Sequence, residues 1–338
     1  MLKQRFRSPD GVWPNLLILS YVLGGWAGGV ALLVLAPLWW KLVGVVLTAH
    51  ALVIAAYLIH EFAHQSIFAS QQDNARWGTL MGWLTGSCYA DFAELRHKHM
   101  RHHVDRADVL TYDYKALLMR HGWLRHSVIA LEWAYVPAVE FIMHGYVMLL
   151  PFVAASKRQR RPRTIAILLV RTAAFALLGW LSPLALAGYA LAWVLMLHVL
   201  RFVDAYQHTY DAVAVLQGGD IPNDKVRDRE YEQRNTYSNV VFAHWPLADW
   251  LLLNFTYHNA HHARPIEPWY KLPALHATLY PRDYAQVLAM GRLLAAYHRY
   301  RVRRLVTDDY GDVVETADGQ LDPNGFFGAV GVSFLTAV

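Results

Sequence analysis

Histidines at short, fixed spacings are the residues of this chain best suited to chemistry. His60 and His64 stand four apart. His99, His102 and His103 form an H-x2-H-H group, and His258, His261 and His262 form another. Residues at i, i+3 and i+4 share one face of a helix, so each group directs two or three imidazoles the same way. Imidazole suits iron, zinc, copper and nickel. One such pair is ordinary on a packed helix, whereas three groups in one chain point to a metal centre assembled from three places. With His208 the set reaches nine of the 18 histidines. Nine imidazoles exceed the needs of one ion, which takes about four to six ligands, and suit two. The ligand type alone does not choose the metal.

Other residues qualify this centre. Asp204 precedes His208 by four positions, so on a continuing helix the carboxylate faces the same way as the imidazole. Arg96, Lys98, Arg101 and Arg106 flank the second group and are suited to a substrate carboxylate or an acidic protein. Cys88 is the sole cysteine, which excludes an intrachain disulfide and any CxxC metal or redox centre. The sequence has no Gly-rich phosphate loop and no dinucleotide fingerprint.

The elements that must position these groups are apolar. The 338 residues are 55% hydrophobic and only 17% charged, with a mean hydropathy of +0.18. That balance, with 13 tryptophans and 19 tyrosines, predicts a multi-pass membrane protein with interfacial aromatics. Leu16–Leu38 and Leu42–Ile59 each read as a span, a bilayer crossing needing about 20 residues. The second runs into His60 and contains His50, read as a packed, hydrogen-bonded residue. Ile165–Val203 reads as two further spans turning at Gly179–Pro183. Asn74–Asp91 is broken by glycines and predicts an interfacial or re-entrant helix. Ser127–Ala155 is apolar but carries Glu132, Glu140 and His144 at spacings that fit one polar stripe, which predicts a single helix lying at the interface. Gln217–Asn239 reads as a polar loop and Tyr284–Arg304 as a helix. The N-terminal segment shows no cleavable signal pattern.

The strongest basic run, Lys157–Arg163, and the basic N-terminus mark the cytoplasmic side. Pairs of crossings before His60 and before His208 then return every histidine group to that side. The net charge of +5 lies beside apolar runs, which indicates an anionic membrane face and no nucleic acid.

With three histidine groups in this order and apolar spans between them, the chain resembles the membrane fatty acid desaturase superfamily of histidine-box non-haem diiron oxidases. His60–His64 corresponds to the first box, His99–His103 to the second and His258–His262 to the third. His208 matches the additional histidine that many members carry between the second and third. The resemblance covers roughly Leu16–Pro265. It implies an all-α membrane protein: four transmembrane helices, interfacial helices and a cytoplasmic helical cap holding a histidine-rich dimetal site. The whole chain is expected to be one such domain, with 266–338 as a cytoplasmic tail. The implied metal is two iron ions held by the nine histidines, with O2 as co-substrate. Asp204 stands where some members have asparagine, and is expected to act catalytically by touching an iron or orienting a ligand. His97, two before the second box, is an extra histidine, read as outside the ligand set.

The implied substrate is a fatty acid or fatty acyl lipid reached from the bilayer, with Arg96, Lys98 and Arg101 as binding candidates. The implied reaction is removal of hydrogen from a fatty acyl chain, desaturation first. Oxidative decarboxylation of free fatty acids to terminal 1-alkenes, as in a bacterial branch of similar enzymes, is the main alternative, and hydroxylation another. A metal transporter is the reading from a different class, but its ligands would lie near the midplane on broken helices, whereas these lie at the ends of apolar runs. Electrons are expected from an external ferredoxin- or rubredoxin-like protein with its reductase. The expected location is a bacterial inner membrane, with the metal site facing the cytoplasm.

Overall fold

Proline and glycine set most of the helix boundaries. The computed structural model describes residues 3–338 except 217, 219, 220, 223, 308 and 318. Helix α1, Val12–Leu35, stops because Ala36 precedes Pro37 and is held extended at ψ 158°. Helix α2, Leu38–Ala63, starts directly after that proline. Helix α3, Gln71–Thr85, is capped by the Ser70 hydroxyl and ended by Gly86 at φ +92°, a left-handed conformation that favours glycine. Helix α4, Phe92–Asp105, carries the second histidine group. After α5, Tyr114–Arg120, come α6, Gly122–Trp133, and α7, Ala138–Val153. Helices α8, Arg161–Leu181, and α9, Pro183–Asp204, are separated by Ser182 alone, whose hydroxyl accepts from the N–H of Ala185. The shorter α10, Arg229–Arg234, α11, His258–Ala263, α12, Leu272–Leu279, and α13, Met290–Arg299, follow.

Four helical stretches are long and apolar enough to cross a membrane: Pro9–Leu35, Leu38–Ala63, Ala155–Leu181 and Pro183–Asp204. They agree with the four expected spans, and the Gly179–Pro183 turn falls as expected. Two other expectations change. The helix expected over 127–155 is broken, because Tyr135 takes φ +56° and Pro137 removes a backbone donor between α6 and α7. The helix expected over 284–304 begins as a short strand, Val287–Ala289, and becomes helical only at Met290. Gln217, where the polar loop was expected to begin, lies outside the described residues.

The described chain divides into two compact units. The first comprises the chain up to Ala93, His144–Val199 and Val338. Within it α1 and α2 touch backbone to backbone: a Cβ on Gly44 would stand 2.9 Å from Gly29 O. Small residues permit this approach where lipid gives helices no hydrophobic drive to associate. Leu33, Val45, Ala49, Ala185, Tyr189 and Ala192 fill the core there. From Ala51 to Ala63, α2 is buried on every side. His50 meets the Tyr21 hydroxyl, as a packed histidine should.

The second unit comprises Glu94–Met143 and Leu200–Ala337. Short parallel pairings tie its distant segments together. Strand β1, Asp108–Leu110, pairs with β2, Val213–Val215; β3, Ser238–Val240, pairs with β4, Val287–Ala289. The split between α6 and α7 has a consequence here: Glu132 and Glu140, on different helices, both reach the buried Arg201, at 2.9 and 3.3 Å. Residues expected to form a tail pack into this unit, with Phe326, Ala329, Val330 and Leu335 buried.

Candidate metal centre

Helices α4 and α11 of the second unit present their histidines in the same pattern, and their imidazoles meet. His102 and His258 each approach His208, with Nε2–Nε2 distances of 3.1 and 2.8 Å, and His262 Nε2 lies 3.1 Å from His258 Nε2. The four ligand atoms of His102, His208, His258 and His262 lie within 4.8 Å of one another. His103 Nε2 forms a second focus in this unit, 3.1 Å from His99 Nε2 and 3.2 Å from His261 Nε2.

The ring protons decide what these contacts are. His102 Nδ1 lies 2.9 Å from Ala107 O, and His262 Nδ1 lies 2.8 Å from Glu232 Oε1. A carbonyl or carboxylate oxygen only accepts, so each Nδ1 carries a proton, and Nε2 is the nitrogen that can turn a lone pair toward the others. Burial, reinforced by the neighbouring imidazoles, pushes the pKa values of His208, His258, His261 and His262 well below the ordinary histidine value. Facing lone pairs repel unless a cation lies between them. Metal–nitrogen bonds of about 2.1 Å imply neighbouring ligand nitrogens roughly 3.0–3.4 Å apart. Four of the five spacings, at 3.1–3.2 Å, fall in that range and the His208–His258 spacing of 2.8 Å lies just below it, so the donor set suits a metal that takes neutral nitrogen ligands.

Carboxylates support the rings from outside. Glu232, from α10, joins His262 to Arg106, whose Nε lies 3.3 Å from Glu232 Oε2. Burial raises the Glu232 pKa, and Arg106 opposes the rise. Sequence reasoning missed Glu232, which stands among exposed charges in a polar stretch; its position in the helix capped by Asp228 was the only available sign. Asp108 Oδ1 lies 3.6 Å from His102 Nδ1. His208 is held by a bridge to Thr236, where the backbone of α11 is also anchored: Asn259 Nδ2 donates to Thr236 O, and the N–H of Asn259 donates to Ser238 Oγ at 3.1 Å.

In the first unit, His60 and His64 close α2 with ring centroids 4.7 Å apart. Glu61 repeats the outer support, its carboxylate 3.3 Å from His60 Nδ1 and accepting from Ser66 Oγ at 2.7 Å.

Beside the second unit's histidines is a cavity of about 40 Å³, lined by His99, His102, His208 and His258 together with Lys98 and Asp204. It has room for a few waters. Phe255 and Phe334 form its apolar side, with ring centroids 5.1 Å from His258 and 6.3 Å from His99 respectively. Asp204 is 8% exposed, and neither of its carboxylate oxygens has a hydrogen-bond partner among the described residues. Lys98 donates to Thr111 Oγ1, Ser333 O and Thr336 O at 2.7–3.1 Å, which ties α4 to the C-terminal segment. Burial draws its pKa down to about 7, against the opposing pull of Asp204 and Asp108. Arg101 pairs with Asp105 at 2.7 Å, Arg96 is partly exposed and His97 is exposed.

A search of curated proteins finds no match. The family profile described as fatty acid desaturase matches residues 37–293, a range that contains all nine histidines, Glu232 and three of the four long apolar stretches in full. With that match over most of its length, four helices able to span a membrane and histidines gathered where they could hold metal, the chain belongs to the fatty acid desaturase family.

Proposed function

We propose that this protein is an O2-dependent membrane diiron oxidase that desaturates a fatty acyl chain. Membership of the family makes it a desaturase-like oxidoreductase acting on acyl lipid in a membrane. The observation carrying the finer reading is the convergence of imidazole nitrogens in two foci of the second unit, a donor set that could serve more than one ion. His102, His208, His258 and His262 would hold one iron. His99, His103 and His261 would hold the other, with His60 and His64 as the remaining ligands on the strength of the sequence pattern. Bound iron would supply the activation of dioxygen needed to take hydrogen from an unactivated methylene.

The protein's own residues prepare the site. Glu232 and Ala107 O fix ring tautomers, so the ligands need no reorganisation. Phe255 and Phe334 keep the histidine side of the cavity apolar. Asp204, a buried carboxylate with no hydrogen-bond partner on that cavity, is assigned the catalytic role of holding a polar group or water beside His208. Arg96, Lys98 and Arg101 are the proposed substrate-binding residues. Electrons would come from an external ferredoxin- or rubredoxin-like protein, and a bacterial inner membrane with the site on the cytoplasmic side remains the proposed setting.

One observation favours a second reading, oxidative decarboxylation to a 1-alkene. Lys98 lines the same cavity as His99 and His102, where its charge could attract a carboxylate close to the proposed metal ligands, which would take one of the three donors now given to Thr111, Ser333 and Thr336. Fatty acid labelled at the carboxyl carbon separates the two reactions. The desaturase reading expects the label in an unsaturated acid of unchanged length. Labelled carbon dioxide with an alkene one carbon shorter would replace it with decarboxylation.

A further inference from the structure

Arg171 is a cation in the middle of a membrane-spanning helix, ten residues from either end of α8. Such a charge is costly in a bilayer and commonly marks a functional site. Its Nη1 donates to Trp83 O at 2.9 Å and lies 3.8 Å from Cys88 Sγ, and its guanidinium carbon stands 5.2 Å from the centre of the Phe175 ring. These partners are neutral, as is Tyr89, whose side chain also hydrogen-bonds to Arg171, and none of the ion pairs found among the described residues involves Arg171. A cavity of about 400 Å³ opens beside it, lined mainly by apolar side chains that include Trp26, Val34, Phe175, Leu178 and Leu181. Every lining residue belongs to the first unit, and none is a histidine.

We propose that this cavity binds a free fatty acid, with its carboxylate paired to Arg171 and its alkyl chain along α1 and α8. Guanidinium and carboxylate match as a forked pair, and the pairing strengthens away from water. From Arg171 to Leu181, α8 rises about 15 Å, giving an alkyl chain an apolar wall of that length. Leu177 and Leu181, each 54% exposed, leave the cavity open toward lipid. Depth favours a free acid over a phospholipid. A phosphate carrying glycerol and a second chain would have to sink about 15 Å from either helix end, whereas a fatty acid brings only two oxygens to that depth. The site takes the substrate class proposed above and rests on that reading, which it narrows to the unesterified acid.

The test is photolabelling of the full chain in nanodiscs of zwitterionic phospholipid, without reductant, using a fatty acid with a diazirine in its tail. Labelled peptides should come from α1 and α8, and unlabelled fatty acid should compete. The matching fatty alcohol and phosphatidylglycerol should not compete. Arg171→Gln should lower labelling about tenfold, as expected for loss of a charge-assisted pair. Ala174→Phe, which fills the cavity and leaves Arg171 in place, should lower it as well and stands as the deciding variant if Arg171→Gln fails to fold. Equal labelling by an alcohol probe, competition by phosphatidylglycerol, or undiminished labelling in Ala174→Phe would each overturn the site. Labelling needs no turnover, and turnover is measured separately with reductant, so a protein that is labelled yet inactive would sink the reaction alone, and an active protein without this labelling would sink the site alone.

Discussion

At the scale of single residues, Glu232 decides which nitrogen of His262 faces the other imidazoles. A carboxylate accepting from Nδ1 also makes the ring a stronger donor at Nε2. Glu232→Gln keeps the shape and removes the charge; metal affinity is expected to fall about 10–100-fold, read by equilibrium competition with a chelator. Affinity equal to the unaltered protein would leave Glu232 with only its Arg106 pairing. Asp204→Ala should reduce turnover far more than Asp224→Ala, an exposed carboxylate in a polar stretch, and equal rates would remove Asp204 from the site. The three histidine groups were legible because helical spacing sets imidazoles on one face even before a fold is known, and His208 was added to them from outside those groups. Glu232 was not, because a carboxylate among Arg229, Glu230 and Arg234 looks like ordinary surface until the chain brings it to His262. Asp220, in the same polar stretch, lies outside the described residues.

Helices hold these residues by contacts that sequence shows unevenly. The α8–α9 turn could be read from Gly179 and Pro183, since proline ends one helix and starts the next. The break between α6 and α7 was not read: Glu132, Glu140 and His144 fit one helical stripe, and it is Pro137 together with the left-handed Tyr135 that divides it. That division lets both carboxylates reach Arg201. Arg201→Met would strand two buried carboxylates, a loss of about 3–5 kcal/mol. Thermal unfolding of the detergent-solubilised protein should then begin well below that of the unaltered chain, and an unchanged midpoint would show the trio to be dispensable. At the α1–α2 crossing, where Gly44 would bring a Cβ to 2.9 Å from Gly29 O, Gly44→Leu should reduce the yield of folded protein through backbone separation. Normal yield and an unchanged melting profile would contradict that packing.

For the whole molecule, composition was enough to read four apolar crossings and a polar remainder that carries histidines. It did not show that residues beyond 320 belong to the packed interior of the second unit. There Lys98 of α4 is bound by Ser333 O and Thr336 O, 235 and 238 positions away, and no periodic pattern encodes a link between such distant segments. With every histidine group expected on the cytoplasmic side, a single cysteine replacing exposed Arg229 in a Cys88→Ser background should react with an impermeant thiol reagent only after cells are opened. Reaction in intact cells would contradict that orientation. The central claim is that the histidines are ligands of a two-iron centre, and elemental analysis of protein purified from iron-replete cells tests it most directly. The account predicts about two irons per chain for nine imidazoles, falling together with activity when His208 or His262 becomes alanine. Active protein holding stoichiometric zinc and no iron would contradict it.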